Sequence, residues 1–301
     1  MLIIRFRKFL YIFSFLVLAT SLFGVLAYGF RLGVDFSGGS ILEVEFLGER
    51  PDTALIDQKI SDLNLSSYRV QPAGDNGFIV RVGELPPEGR QDLIKALAGS
   101  DEPEKVLSIR RFDSIGPTIG RELRRNAFVS IALVIVLILA FVSWAFRHVS
   151  KPVASWKYGV VAILALIHDI LIPAGLFAYL GRFYGAEVDA LFVTALLTIL
   201  GFSVHDTIVV FDRIRENLRK SEGVGNFESI VGKSLDETYG RSLATSFAIF
   251  LVLASLFWFG ASATRYFALT LLIGVIAGTY SSICLASPLL VSWQKRSGKL
   301  N

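Results

Sequence analysis

The hydrophobic pattern of this chain changes character twice. From Phe9 to about Tyr28 no position is charged, a run of roughly 20 residues that can cross ~30 Å of hydrocarbon as a helix. A long stretch with a different period follows. From Ala127 onward the apolar runs return, at Ala127–Phe146, Tyr158–Leu180, Leu191–Val210, Leu243–Phe259 and Phe267–Val291, each poor in charge. The pattern predicts an α-helical polytopic membrane protein with six transmembrane helices.

Between the first two spans the apolar residues stop following a span pattern. Ser40–Phe46 alternates, with Leu42, Val44 and Phe46 on one face and Glu43 and Glu45 on the other, as a half-buried strand does. Asp52 or Thr53 can cap a helix whose Leu55, Ile56, Ile60 and Leu63 form an apolar stripe. Tyr68–Gln71 and Phe78–Val82 flank Gly74-Asp75-Asn76-Gly77, a hairpin turn signal. Pro86–Ala98 reads as a second helix with Leu93, Ile94 and Leu97 inward, and Val106–Phe112 as a last strand. The order βαββαβ predicts a small α+β domain of ferredoxin-like topology over residues 31–121. Residues 1–30 form the N-terminal end and first span. Residues 122–301 form a five-helix bundle with a loop at about 212–242.

Charge sets the orientation. Arg5, Arg7 and Lys8 precede the first span, and Arg147, Lys151 and Lys157 fill the turn after the second. Arg213, Arg215, Arg219, Lys220, Lys233 and Arg241 lie in the long loop, and Lys295, Arg296 and Lys299 in the tail. The short turns on the other side hold only Arg182 and Arg265. Fifteen cations against two put both termini in the cytoplasm and the 31–121 domain outside a bacterial inner membrane. The first run exceeds the roughly 7–15 apolar residues of a signal peptide, and Val25-Leu26-Ala27 is a weak cleavage site, so a retained anchor is expected. Trp156, Trp258 and Trp293 fall near the span ends, as interfacial aromatics do.

Composition narrows the function classes. An apolar content of 53% and a mean hydropathy of +0.57 argue against two soluble domains. The pI near 9.2 comes from cations clustered at span ends, which topology explains better than nucleic acid. The one cysteine, Cys284, lies in an apolar run, so no disulfide framework is available. No catalytic constellation is apparent. With three histidines, one of them (His148) at an interface, His168-Asp169 is poorly supplied for a metal site. No enzyme activity, metal or cofactor is expected.

The ionisable residues inside spans carry the functional signal, because each costs ~2.5–3.5 kcal/mol at a helix centre. The third span holds His168-Asp169 and the fourth His205-Asp206. On the fourth, Thr194, Thr198, Gly201 and His205 recur at spacings of three and four, a polar stripe able to order water towards Asp206. Arg213 lies seven residues on, and Arg241 begins the fifth span on the same side. A carboxylate between desolvation and nearby cations can take up and release protons; equally, Asp206 can be a structural pairing that holds helices together. In the sixth span Thr270, Gly274, Gly278, Ser282 and Ala286 make a small-residue ridge for close packing, within the chain or against a partner. In the loop Asp212/Arg215, Glu216/Arg219 and Glu216/Lys220 are spaced for helical ion pairs, as in a helix at the membrane surface or a partner contact. At the entry to the outside domain, GVDFSGGS (Gly33–Ser40) places Gly38 and Gly39 where positive φ or close backbone approach is needed; it lacks the context of a phosphate loop.

Motif by motif the chain resembles the SecF members of the SecD/SecF family of bacterial protein-export subunits, relatives of resistance-nodulation-division transporters. GVDFSGGS matches the motif after the family's first span, with Gly33, Asp35, Gly38 and Gly39. SIGPTIGREL (Ser114–Leu123), with Gly116, matches the motif before the second. ALIHD (Ala165–Asp169), HDTIVVFDRIREN (His205–Asn217) and RSLATS (Arg241–Ser246) match the third-, fourth- and fifth-span signatures, in order along essentially the whole chain. The resemblance implies a role in the Sec pathway beside SecD and the SecYEG channel, acting on a translocating preprotein with protons as coupling ion. It implies Asp206 as the protonatable carboxylate and Arg241 as its coupling cation, with His205, His168 and Asp169 beside them. His205 departs from the family pattern, in which asparagine is commoner, so the pH response would differ. A small-molecule or lipid exporter and a non-energised scaffold are the alternatives; one repeat and a small outside domain argue against the exporter.

Overall fold

The computed structural model describes residues 2–63, 65, 67–146, 153–221 and 226–297. Arg147, His148, Lys151 and Lys299 of the sequence reading lie outside these residues. The chain divides into two compact units, Leu32–Phe128, and Met1–Arg31 together with Val129–Asn301.

In the first unit the predicted order appears as β1 (Gly39–Phe46), α2 (Thr53–Ser61), β2 (Tyr68–Ala73), β3 (Gly77–Val82), α3 (Pro87–Ala98) and β4 (Leu107–Ile115), following α1 (Arg7–Tyr28) in the chain. The sheet runs β2-β3-β1-β4, with β1 antiparallel to both neighbours and β2 antiparallel to β3. That is the split βαβ arrangement the element order predicts. Alternation does the work: Leu42 stands opposite Val80 and Phe112, and Val44 opposite Phe78 and Ile109. The inward side chains meet Ile56, Ile60, Leu93 and Leu97, all fully buried. Each such side chain contributes about 1.5–3 kcal/mol on burial. Asp52 caps α2 by accepting from Ala54 N at 3.2 Å. Leu55 departs from the expected stripe and is 48% exposed, because Ile56 and Ile60 already fill the inward face.

The two glycine motifs meet in this unit. After the helical turn Val34–Ser37, Gly38 (φ +79°) and Gly39 (φ +128°) carry the chain into β1. A Cβ on Gly38 would stand 2.9 Å from Pro117 Cα, and one on Gly120 would stand 3.0 Å from Gly38 N. A side chain is therefore excluded at both ends of one contact. Gly116, by contrast, has nothing within 4 Å of a Cβ position.

Among the described residues six helices are long and apolar enough to cross a membrane. They are α1, α4 (Pro117–Ala145), α5 (Ser155–Tyr184), α6 (Ala190–Lys220), α7 (Phe227–Phe259) and α8 (Ser262–Tyr280) with its continuation. That continuation is a π-helical turn, Ser281–Ala286, followed by α9 (Ser287–Ser297). Pro288 weakens the α-helical backbone at the widened turn. It has no N–H for the Cys284 carbonyl four residues back, and its ring crowds that carbonyl. The hydroxyl of Ser287 instead donates to Ser282 O at 3.3 Å, five residues back.

Two readings become specific here. The stretch 212–242 is no surface helix: α6 runs on to Lys220 and α7 already begins at Phe227. Cross-helix polar contacts hold the extensions together, Asn217 Nδ2 donating to Ser234 Oγ at 2.9 Å and Arg213 Nε to Glu237 Oε2 at 2.6 Å. The small-residue ridge of the last span packs inside this chain, with Gly274 against Ile199 and Gly278 against Ser203 of α6. On the other flank Gly175 of α5 lies directly on Ser21 of α1, and Tyr179 donates its hydroxyl to Thr20 O at 3.0 Å.

Candidate functional site in the helical bundle

A polar layer crosses the bundle at mid-helix, assembled from α5, α6, α7 and the α8–π segment. Asp169 is fully buried. Its Oδ1 lies 2.8 Å from His168 Nδ1, while Oδ2 accepts from Ser281 Oγ at 2.7 Å and from Ser203 Oγ. The other ring nitrogen of His168, Nε2, finds no hydrogen-bond partner among the described residues, and the ring stacks on Tyr280 with centroids 5.9 Å apart. Tyr280 in turn bonds Ser14 of α1 at 2.9 Å. One helical turn along α6 from Ser203, Thr207 bonds Ser282 at 2.9 Å.

Asp206 is the second buried carboxylate, 2% exposed. Its neighbour His205 points outward, with a side chain 69% exposed and Nδ1 3.6 Å from Asp206 Oδ1. Ser246 of α7 stands within hydrogen-bonding reach of the carboxyl group. Thr279 lies 2.6 Å behind Ser246 and 2.8 Å from Val275 O, so its single proton can go either way. When it goes to Ser246, the serine proton is free for Asp206. Asp206 Oδ2 itself has no hydrogen-bond partner among the described residues.

The structure separates residues that the sequence reading grouped. Arg213 does not face Asp206; it is engaged by Glu237 and by Glu216, the latter at 2.5 Å. Glu216 also takes Lys220 at 2.7 Å, and Asp212 takes Arg215 at 3.5 Å. Arg241 is exposed on α7, and Thr194, Thr198, Gly201 and His205 share the exposed face of α6. Both threonines turn their hydroxyls back onto carbonyls four residues earlier, at 2.9 and 2.8 Å. The buried polar stripe is instead Ser203, Asp206 and Thr207. Sequence reasoning missed Ser203, Thr207, Thr279 and Ser281. The one available signal was Ser203, three residues before Asp206 on the same helix; Thr207, Thr279 and Ser281 carry no such spacing.

Comparison with known proteins agrees with this layout. A family profile described as "Protein export membrane protein SecD/SecF, C-terminal" matches residues 96–296, and one for the SecD/SecF GG motif matches residues 23–46. The protein translocase subunit SecF of Thermobaculum terrenum is 42% identical over 98% of this chain and 94% of its own length. That of Anaerolinea thermophila is 37% identical over 94% of this chain and 92% of its own. The crystal structure of SecDF, a translocon-associated membrane protein from Thermus thermophilus, superposes with a TM-score of 0.83 at 31% identity over 97% of this chain. This chain spans 38% of that SecDF chain, and 33% of the 35% identical SecDF of Brucella abortus. Matched by both family profiles and by SecF relatives along nearly its whole length, the chain belongs to the SecD/SecF family of protein-export membrane proteins.

Proposed function

We propose that this chain is the SecF-type subunit of a protein translocase. In this reading it works beside SecD and the SecYEG channel and uses the proton motive force to promote preprotein movement across the cytoplasmic membrane. Asp206 takes up and releases the coupling proton. The observation that carries the reading is a carboxyl group 2% exposed, with Oδ2 unpaired, next to a histidine whose side chain is 69% exposed. A buried carboxyl group with a polar neighbour, His205, on its open side is the arrangement a proton site needs. His168 and Asp169 extend the polar layer from α5. Arg241, on the exposed face of the neighbouring helix, is the cation the proton would answer to when the partner subunit closes over that face. One charge crossing 100 mV is worth about 2.3 kcal/mol, enough to bias a small conformational equilibrium. The excess of cations at the turns puts both termini in the cytoplasm and residues 31–121 outside.

Asp206→Asn keeps size and polarity and removes the titratable proton. The expected result, in inverted membrane vesicles, is loss of the proton-gradient-dependent part of preprotein export with the subunit still co-purifying with SecD. If gradient-dependent export survives, the chain is a scaffold and Asp206 a packing residue.

A further inference from the structure

We propose that Asp169 is a positioning residue that holds the π turn Ser281–Ala286 open and so sets the place of the hydroxyls around Asp206. This rests on the reading of Asp206 as the coupling carboxylate. Both partners in the contact lie on helices weakened by proline. Pro173 stands four residues after Asp169 and has no N–H for the Asp169 carbonyl. Pro288 does the same to Cys284 on the facing segment. Neither backbone determines its own register there, and a side-chain contact decides it. Asp169 Oδ2 gathers Ser281 Oγ at 2.7 Å and Ser203 Oγ, tying the first residue of the π turn to α6. Gly278 opposite Ser203 permits that approach, since a Cβ there would stand 3.2 Å from Ser203 Cβ.

The geometry beyond the pin follows. With Ser281 held, Ser282 reaches Thr207, the residue after Asp206. Two residues before Ser281, Thr279 reaches Ser246, which stands beside Asp206. A π turn contains one residue more than an α turn, so closing it rotates everything beyond by about 100°. Such a closure would carry Ser282 away from Thr207 and turn α9 about its axis.

The chain contains its own reporter, because its one cysteine, Cys284, lies on the π turn and lines a groove between α7 and α8 of about 320 Å³. The experiment measures the rate at which N-ethylmaleimide labels Cys284, by mass spectrometry of its peptide, in native membranes containing the assembled translocase. Gradient-dependent export is measured on the same membranes. Asp169→Asn and Ser281→Ala should each change the labelling rate by about fivefold, the shift produced by loss of one net hydrogen bond, and lower export. Ser281→Thr, which keeps the hydroxyl, should restore both. Asp206→Asn should lower export with Cys284 labelling unchanged. Parental labelling rates in Asp169→Asn and Ser281→Ala would overturn the proposal, as would altered labelling with full export. If export survives Asp206→Asn, the coupling reading fails, and the labelling comparison still decides whether Asp169 holds the turn.

Discussion

Gly39 offers the sharpest test of the packing argument. Its φ of +128° lies in a region that side chains rarely enter, and a Cβ there would stand 2.6 Å from Val82 O. Gly39→Ala therefore carries two costs. Backbone strain contributes about 1–3 kcal/mol, and forcing a methyl against a hydrogen-bonded strand adds about 1–3 kcal/mol. Their central sum is ~4 kcal/mol, or roughly 700-fold in the opening equilibrium at 1.4 kcal/mol per decade. Two controls separate the costs. Gly74 has φ +59° with nothing within 4 Å, so Gly74→Ala should cost only the left-handed strain, about 1–2 kcal/mol. Gly48 has neither feature, and Gly48→Ala should stay within about 0.5 kcal/mol. The assay is amide hydrogen exchange of the full chain in lipid nanodiscs, read at Ser40 and Val82, which pair across β1 and β3. If Gly39→Ala protects those amides as well as Gly74→Ala does, the close approach to Val82 O does not constrain the chain.

Other outcomes are equally specific. Tyr158→Phe removes a buried hydroxyl that has no partner between Phe146 and Phe211, so it should stabilise the bundle by about 1 kcal/mol in reversible unfolding; destabilisation would mean the hydroxyl is satisfied. Gly175→Ala drives a methyl to 2.8 Å from Ser21 O and should lower bundle stability by about 1–3 kcal/mol, seen as earlier thermal release of α1 in detergent; an unshifted transition refutes the α1–α5 contact. Glu228 holds Arg7 at 2.6 Å and also Lys295, joining the start of α1 to the end of α9. Glu228→Gln should cost about 1 kcal/mol and speed proteolysis near Arg7, with the difference shrinking in high salt. A salt-independent difference would mean the contact is not ionic.

The sequence made the outside domain legible because its code is local. Alternation at Leu42, Val44 and Phe46 fixed one face of β1, and the turn at Gly74 fixed the β2–β3 pairing. Spans were legible from hydropathy, but their ends were not. Hydropathy falls where Arg213 and Glu216 begin, yet α6 continues, because those residues satisfy one another across the α6–α7 hairpin. The same limit applied to the site. Asp206 stood out as a charge in an apolar run, whereas Ser203 and Ser281 did not, since a serine in a span is cheap and common. Their importance comes from converging on one carboxylate from residues 34 and 112 positions away, which no spacing rule displays. The α6 threonines are a related case: periodicity says that they share a face, and only packing shows that this face is exposed in this chain.

One consequence concerns α4. Its 29 residues begin with Pro117, and after Gly120 it holds neither glycine nor proline as far as Ala145. Other helices of the bundle carry a proline or glycine within their length, Pro173 in α5, Gly201 in α6 and Pro288 after the π turn. At 1.5 Å per residue α4 is a rod of about 44 Å. A helix without such breaks resists bending along its length, and a pair of glycines placed within it would soften it at that point.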